Sequence, residues 1–297
     1  MSFEEMGSFR NELTQEKEGI VDVYGTPILF LVGGKGSRVQ EITNDEIPKP
    51  LIKITDENTL IDLICINLVQ IGYKNFIFCI GHHGEALEAH LSQSKWAIGE
   101  NAPNLKLSKE EPEMLLGPTG AAFRAIESMQ LQGPVIILPG DMFLPWINFE
   151  DMIRFHMSNS ADMTLGVTST VTEKTSDIGK IFVDRASNRI VKCYPRDAVV
   201  PQPSNNMIPL TSAGVEMVDA QKFLDIYASY IKNTNIPENT PISMRDDVLP
   251  WALIESNCQI YAFDLTGEAL DIGTVDRVEY ARSNWKNYMR EISTDNV

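Results

Sequence analysis

An α/β fold, with a mainly parallel but mixed central sheet flanked by helices and a small β-rich part toward its end, is the class this sequence predicts. Three observations carry that prediction. Apolar runs of strand length, Ile28 to Val32, Phe76 to Ile80 and Val135 to Leu138, are rich in branched and aromatic side chains and read as strands buried on both faces. Stretches of helical character stand between them, the alternation that builds a parallel sheet through crossover connections. Past Gly179 the texture changes to short runs separated by turn residues, which marks antiparallel hairpins.

Taken in order, residues 1–26 form an acidic extension in which Phe3, Met6, Phe9 and Leu13 fall near helical spacing. They read either as an amphipathic helix docked on the body or on a second subunit of a homo-oligomer, or as a frayed arm. The first strand, Ile28 to Val32, ends in Gly33-Gly34-Lys35-Gly36-Ser37-Arg38. Asn58-Thr59 reads as the cap of a buried helix from Leu60 to Val69 that Gly72 stops. The alternation continues with a strand at Phe76 to Ile80, a helix at Glu85 to Leu91, a short strand at Leu105 to Ser108, a helix at Gly120 to Met129 and a strand at Val135 to Leu138. A helix over Asn148 to Ser158, with His156 on its surface, leads to a strand at Met163 to Val167. Lys180 to Asp184 and Arg189 to Lys192 make a hairpin about Ser187-Asn188. A proline-rich loop from Pro201 precedes the strand Leu210 to Val218; helices at Ala220 to Ile231 and Met244 to Glu255, a strand at Gln259 to Phe263 and a helix at Thr274 to Met289 complete the chain. In such a sheet ligands lie beyond the carboxyl ends of the strands, where the glycine loop and Asp141 both fall.

The 297 residues suffice for one large domain over 27–297, divisible into halves at 27–168 and 169–297. A net charge of −16 argues against nucleic acid or an anionic membrane as partner, since both demand a basic stripe. Cys65, Cys79, Cys193 and Cys258 are far apart and form no C-x-x-C pair, so they read as buried thiols in a reducing compartment. No apolar run approaches membrane-spanning length and Met1 to Glu5 is not signal-like, which points to a cytoplasmic chain.

The glycine loop frees the backbone to approach a ligand, while Lys35 and Arg38 add fixed positive charge, a combination suited to a polyphosphate. Neither the Walker pattern nor the dinucleotide fingerprint fits, because Ser37-Arg38 follows Gly36 and Val39 stands where a last glycine belongs. In Pro48-Lys49-Pro50 the lysine backbone is restricted on both sides, so its ammonium can be aimed. Asp141, reached through Gly140 after a buried strand, reads as a Mg²⁺ ligand beside a triphosphate or as an ordinary turn former. Asp271, taken alone, reads as the cap of the final helix. His82, His83 and the later His90 lack a matching third-ligand pattern, and the pair reads as a strand-to-helix turn. Trp146 and Trp251 read as pocket walls or as core.

The order of these blocks resembles the sugar-1-phosphate nucleotidylyltransferases: GGxGxR, PKP, a glycine turn at Leu116 to Ala121, Gly140-Asp141, Ser212-Ala213-Gly214-Val215, then Asp271-Ile272-Gly273-Thr274. Asp247 to Trp251 is similar to the mannose- and heptose-1-phosphate guanylyltransferase branch. The resemblance implies a Rossmann-like nucleotide-diphospho-sugar transferase (GT-A-like) fold, with 27–168 binding nucleotide and 169–297 the sugar phosphate. It implies Mg²⁺-dependent joining of a nucleoside triphosphate and a sugar 1-phosphate, guanylyl transfer favoured. Arg38 and Lys49 take the catalytic roles, and Asp141 and Asp271 hold the metal. Nucleotide contacts fall to Leu31, Gly33, Gly34, Gly36, Ser37, Glu111, Gly117 and Gly120; sugar-phosphate contacts fall to Gly140, Arg196 and Gly214. Two departures stand out: Tyr194-Pro195-Arg196 replaces the usual Glu-Lys-Pro, so Arg196 substitutes for a lysine, and Pro118-Thr119 alters the base-contacting turn. Glu110 and Glu111 read as guanine-edge acceptors or as solubilising charges. The rival readings are a catalytically silent nucleotide-sugar-binding subunit, a cytidylyl- or uridylyltransferase acting on another phosphorylated small molecule, and a glycosyltransferase, whose D-x-D motif Asp141-Met142-Phe143 does not provide.

Overall fold

The computed structural model describes residues 22–34, 36–110, 116–144, 149–168, 180–195, 198–237, 240–265 and 270–289. The chain runs β1 (Ile28–Leu31), α1 (Gln40–Thr43), α2 (Leu60–Ile71), β2 (Asn75–Ile80), α3 (Gly84–Gln93), β3 (Asn104–Lys109), α4 (Gly117–Ser128), β4 (Pro134–Pro139) and β5 (Met142–Phe143). It continues through α5 (Phe149–Ser158), β6 (Met163–Thr168), β7 (Ile181–Asp184), β8 (Ile190–Cys193), β9 (Met207–Asp219), α6 (Ala220–Thr234), α7 (Leu249–Glu255), β10 (Ile260–Asp264), β11 (Leu270–Asp271) and α8 (Val275–Asn284).

The central sheet has the order β10-β6-β9-β4-β1-β2-β3. Strands β4, β1, β2 and β3 pair in parallel, as do β10 and β6. The antiparallel β9 lies between β4 and β6, which makes the sheet mixed, and its first half pairs with β7 of the β7–β8 hairpin. Because side chains alternate across a strand, Ile28 and Phe30 enter a core with α2, α5 and α8, while Leu29 enters a second core with α4, α6 and α7. Strands β9 and β10, from beyond residue 168, complete the sheet begun by β1 to β4.

Local chemistry explains the element ends. Thr59 and Asp62 form a reciprocal capping box on α2, and Gly72 ends that helix with φ 114°. The helix expected from Met244 to Glu255 instead divides into a π-helical turn at Met244–Val248 and α7, with Pro250 in the first turn of α7, where a missing N–H costs nothing. The expectation for His156 is corrected. Phe149, Met152, Ile153 and His156 recur with the helical period and all are buried; His156 is 3 % exposed, with Nδ1 2.9 Å from the Thr164 hydroxyl. No helix among the described residues is long and apolar enough to cross a membrane.

Candidate active site

From β1 the chain moves outward to β2 and β3, then returns to β4 on the other side of β1. The crevice between β1 and β4 is therefore the topological switch point, where a sheet of this kind opens to ligands. Leu31 pairs with Pro139 there, so the glycine loop and Gly140-Asp141 leave the sheet side by side. Gly140 donates its N–H to the Leu31 carbonyl at 3.0 Å, and a Cβ at this position would overlap Val32 Cγ1, so only glycine permits the approach.

Lys49 opens a short 3₁₀ turn after the extended Pro48, and its side chain is buried. The ammonium donates to Asp141 Oδ2 at 2.6 Å and stands 4.0 Å from Asp271 Oδ1. Asp271 comes from far along the chain on β11, which pairs antiparallel with β5 so that Asp271 faces Met142. The Ile272 N–H also donates to the Asp141 carbonyl at 2.9 Å, tying the two aspartate backbones together. Arg277, on α8, donates to Asp271 Oδ2 at 2.7 Å. Each carboxylate thus has one oxygen held by a cationic side chain, while Asp141 Oδ1 and Asp271 Oδ1 accept no hydrogen bond among the described residues. Two aspartates offering hard oxygen atoms are the kind of donor set that Mg²⁺ takes.

Asp141 and Asp271 border a cavity of about 240 Å³ whose walls include Leu31, Arg38, Gly214 and Glu216. Glu216 sits on β9, and burial pushes its carboxyl up to about 8.

The family profile for nucleotidyl transferases matches residues 27–195, more than half of the chain. The chain belongs to the nucleotidyl transferase family. Solved structures similar in fold include HddC from Yersinia pseudotuberculosis complexed with GMP-PN, at TM-score 0.61 and 16 % identity, covering 88 % of this chain and 99 % of that one. A second structure of HddC from the same organism matches at TM-score 0.62 with the same identity and coverage.

In this nucleotidyl transferase Gly36 takes the left-handed conformation, φ 62°, and leads into the 3₁₀ turn Ser37–Val39 that carries the exposed Arg38 to the cavity rim. Gly33 packs against Gly81 at the end of β2, while Gly34 is open to solvent. Gly117 and Gly120 are the first and fourth residues of α4, packed against Ile242 and against Leu116 and Tyr227. Glu110 is buried, and its Oε1 accepts from the Leu116 N–H at 3.1 Å; burial pushes its carboxyl above the usual range, partly offset by that hydrogen bond. Trp251 meets Tyr230 edge-on at 5.5 Å and does not line the cavity. Lys35, Glu111, Trp146 and Arg196 lie outside the described residues.

Sequence reasoning missed Arg277, Glu216 and the cavity-wall segment Ser243-Met244-Arg245. A signal for Arg277 exists in hindsight: a basic residue in the first turn of a helix opposes the helix dipole, so it needs an acidic partner such as Asp271.

Proposed function

We propose that this nucleotidyl transferase joins a nucleoside triphosphate to a sugar 1-phosphate, giving a nucleoside diphosphate sugar and pyrophosphate, with GTP as the favoured nucleotide. The observation that carries the reading is that Asp141 and Asp271, which border one cavity, converge on the buried Lys49 ammonium. A phosphate oxygen of the sugar 1-phosphate attacks the α-phosphorus, the bond to the bridging oxygen breaks, and pyrophosphate departs with the electron pair. The attacking oxygen is ionised at neutral pH, so the protein needs neither a nucleophile nor a general base. Mg²⁺ held by Asp141 and Asp271 would supply charge neutralisation across the reacting phosphates. Lys49, already oriented by Asp141, offers its ammonium to charge developing on the α-phosphoryl group, and Arg38 at the rim polarises the triphosphate. Gly214 on the cavity wall and Gly140, whose close packing on Val32 sets the turn into Asp141, are assigned to the sugar-phosphate side, and Arg196 is assigned its charge. The preference for guanine draws on HddC, a protein of similar fold solved with GMP-PN.

The test is pyrophosphate release from a panel of triphosphates and sugar 1-phosphates with and without Mg²⁺. Metal-dependent release with GTP and at least one sugar 1-phosphate is expected. Absence of release from every pair, with nucleotide binding still measurable by calorimetry, overturns the proposal in favour of a silent nucleotide-sugar-binding subunit.

A further inference from the structure

The turn between β2 and α3 carries two adjacent histidines, and the fold brings a third donor to them that no local sequence pattern contains. His82 Nε2 lies 3.6 Å and His83 Nε2 3.8 Å from the same oxygen, Oδ1 of Asp45, which belongs to the turn that follows α1. The donor atoms of the three residues all fall within 4.8 Å of one another. We propose that Asp45, His82 and His83 form a binding site for a divalent transition metal of the zinc class, distinct from the pair Asp141 and Asp271.

The separations support a metal over hydrogen bonding. At 3.6 and 3.8 Å the contacts exceed hydrogen-bond length. Donors bound tetrahedrally to one ion at about 2.0–2.1 Å are themselves roughly 3.4 Å apart, close to the separations of the two imidazole nitrogens from Asp45 Oδ1. His83 Nε2 is shielded from solvent and has no hydrogen-bond partner among the described residues, a costly condition for an imidazole nitrogen unless something else fills the role. The backbone points the same way. His83 has φ 55° and Asp45 φ 56°, a left-handed conformation in which glycine would be least strained, yet a ligating side chain stands at each position.

Two imidazoles and one carboxylate form a borderline-soft set that selects Zn²⁺, Co²⁺, Ni²⁺ or Cu²⁺ over Mg²⁺ or Ca²⁺. Three protein ligands leave a fourth position for water or a further group. His82 also donates its backbone N–H to the Gly33 carbonyl at 3.2 Å, so the site abuts the glycine loop. A bound ion links the Asp45 turn to the end of β2 and so braces both ends of the segment running from that loop toward Lys49.

The experiment uses the full chain stripped of metal by chelation, with no nucleotide present, so its outcome is independent of the transfer reaction. Zn²⁺ is titrated by calorimetry in excess Mg²⁺, which saturates oxygen-donor sites and leaves imidazole sites free, and Co²⁺ by visible absorption. One Zn²⁺ per chain and the intense bands of tetrahedral Co²⁺ are expected. Asp45→Asn, His82→Gln and His83→Asn should each weaken binding by about tenfold or more. Asparagine tolerates the left-handed backbone, so Asp45→Asn and His83→Asn should keep the metal-free melting temperature, which serves as the folding control. No saturable Zn²⁺ binding to the wild type, or binding that all three variants leave unchanged, overturns the proposal.

Discussion

Replacing Lys49 by methionine separates the two things its ammonium does. The methionine stem fills nearly the volume of the buried lysine, so packing changes little. What is lost is a charge-assisted hydrogen bond of 2.6 Å to Asp141 and a second cationic contact at 4.0 Å to Asp271. For catalysis, removing one preorganised donor from a developing charge costs about 2.7–4 kcal/mol, a fall in kcat of roughly 100- to 1,000-fold. For metal binding the sign reverses. Mg²⁺ bound as proposed would compete with the ammonium for Asp141, and a hydrogen bond to a charged group is worth about 1.5–3 kcal/mol, so its removal should tighten Mg²⁺ binding by roughly 10- to 100-fold. Pyrophosphate release gives the first quantity and Mg²⁺ calorimetry the second. A variant that keeps wild-type turnover, or that loses Mg²⁺ affinity in step with turnover, refutes the assignment of Lys49 as a catalytic cation held by the metal ligands.

Three further outcomes are expected. Gly140→Ala drives a methyl into Val32 and should destabilise the chain by about 1–3 kcal/mol in urea titration, with loss of turnover because Asp141 follows directly. Burial holds the His156 imidazole down to about 4 against an ordinary 6.5, so the neutral ring's contribution is full above pH 6.5 and is lost as pH falls toward 4. That loss is about 3 kcal/mol, and His156→Gln should flatten the dependence in urea midpoints measured across this window. Glu216 is the opposite case: its carboxyl, raised to about 8 by burial, contributes fully below pH 4.5 and loses that contribution as pH rises through 8. Glu216→Gln should therefore unfold at a higher temperature than the wild type above pH 8 and not below pH 5.

How far the sequence was legible depends on whether a feature is local. The strand before the glycine loop, the cap at Thr59 and the short motifs around Lys49, Asp141 and Asp271 are each written in contiguous residues, with a turn or pairing chemistry of their own. Arg277 reaches Asp271 only because α8 starts where it does, and Asp45 meets His82 only because the glycine loop folds back over the end of β2. Neither contact has a signature in spacing. The insertion of β9 between β4 and β6 was hidden for the same reason, since long-range strand order follows from how whole elements pack. His156 misled in another way: its period within α5 matches the apolar face, but its polar type suggests a surface, and Thr164 resolves the conflict by giving a ring nitrogen a partner.

The two-stranded ladder of β5 and β11 has a consequence for ligand affinity. Acidic groups far apart along a polypeptide ordinarily must be gathered when an ion arrives, at an entropic penalty charged against binding. Here a backbone staple assembles them during folding, with the lysine seated as an internal counterion that keeps their mutual repulsion in check. A cation bound there, as proposed, would meet a socket whose shape is already set, and would compete with two tethered side chains, the Lys49 ammonium on Asp141 and the Arg277 guanidinium on Asp271, instead of a disordered shell of protein.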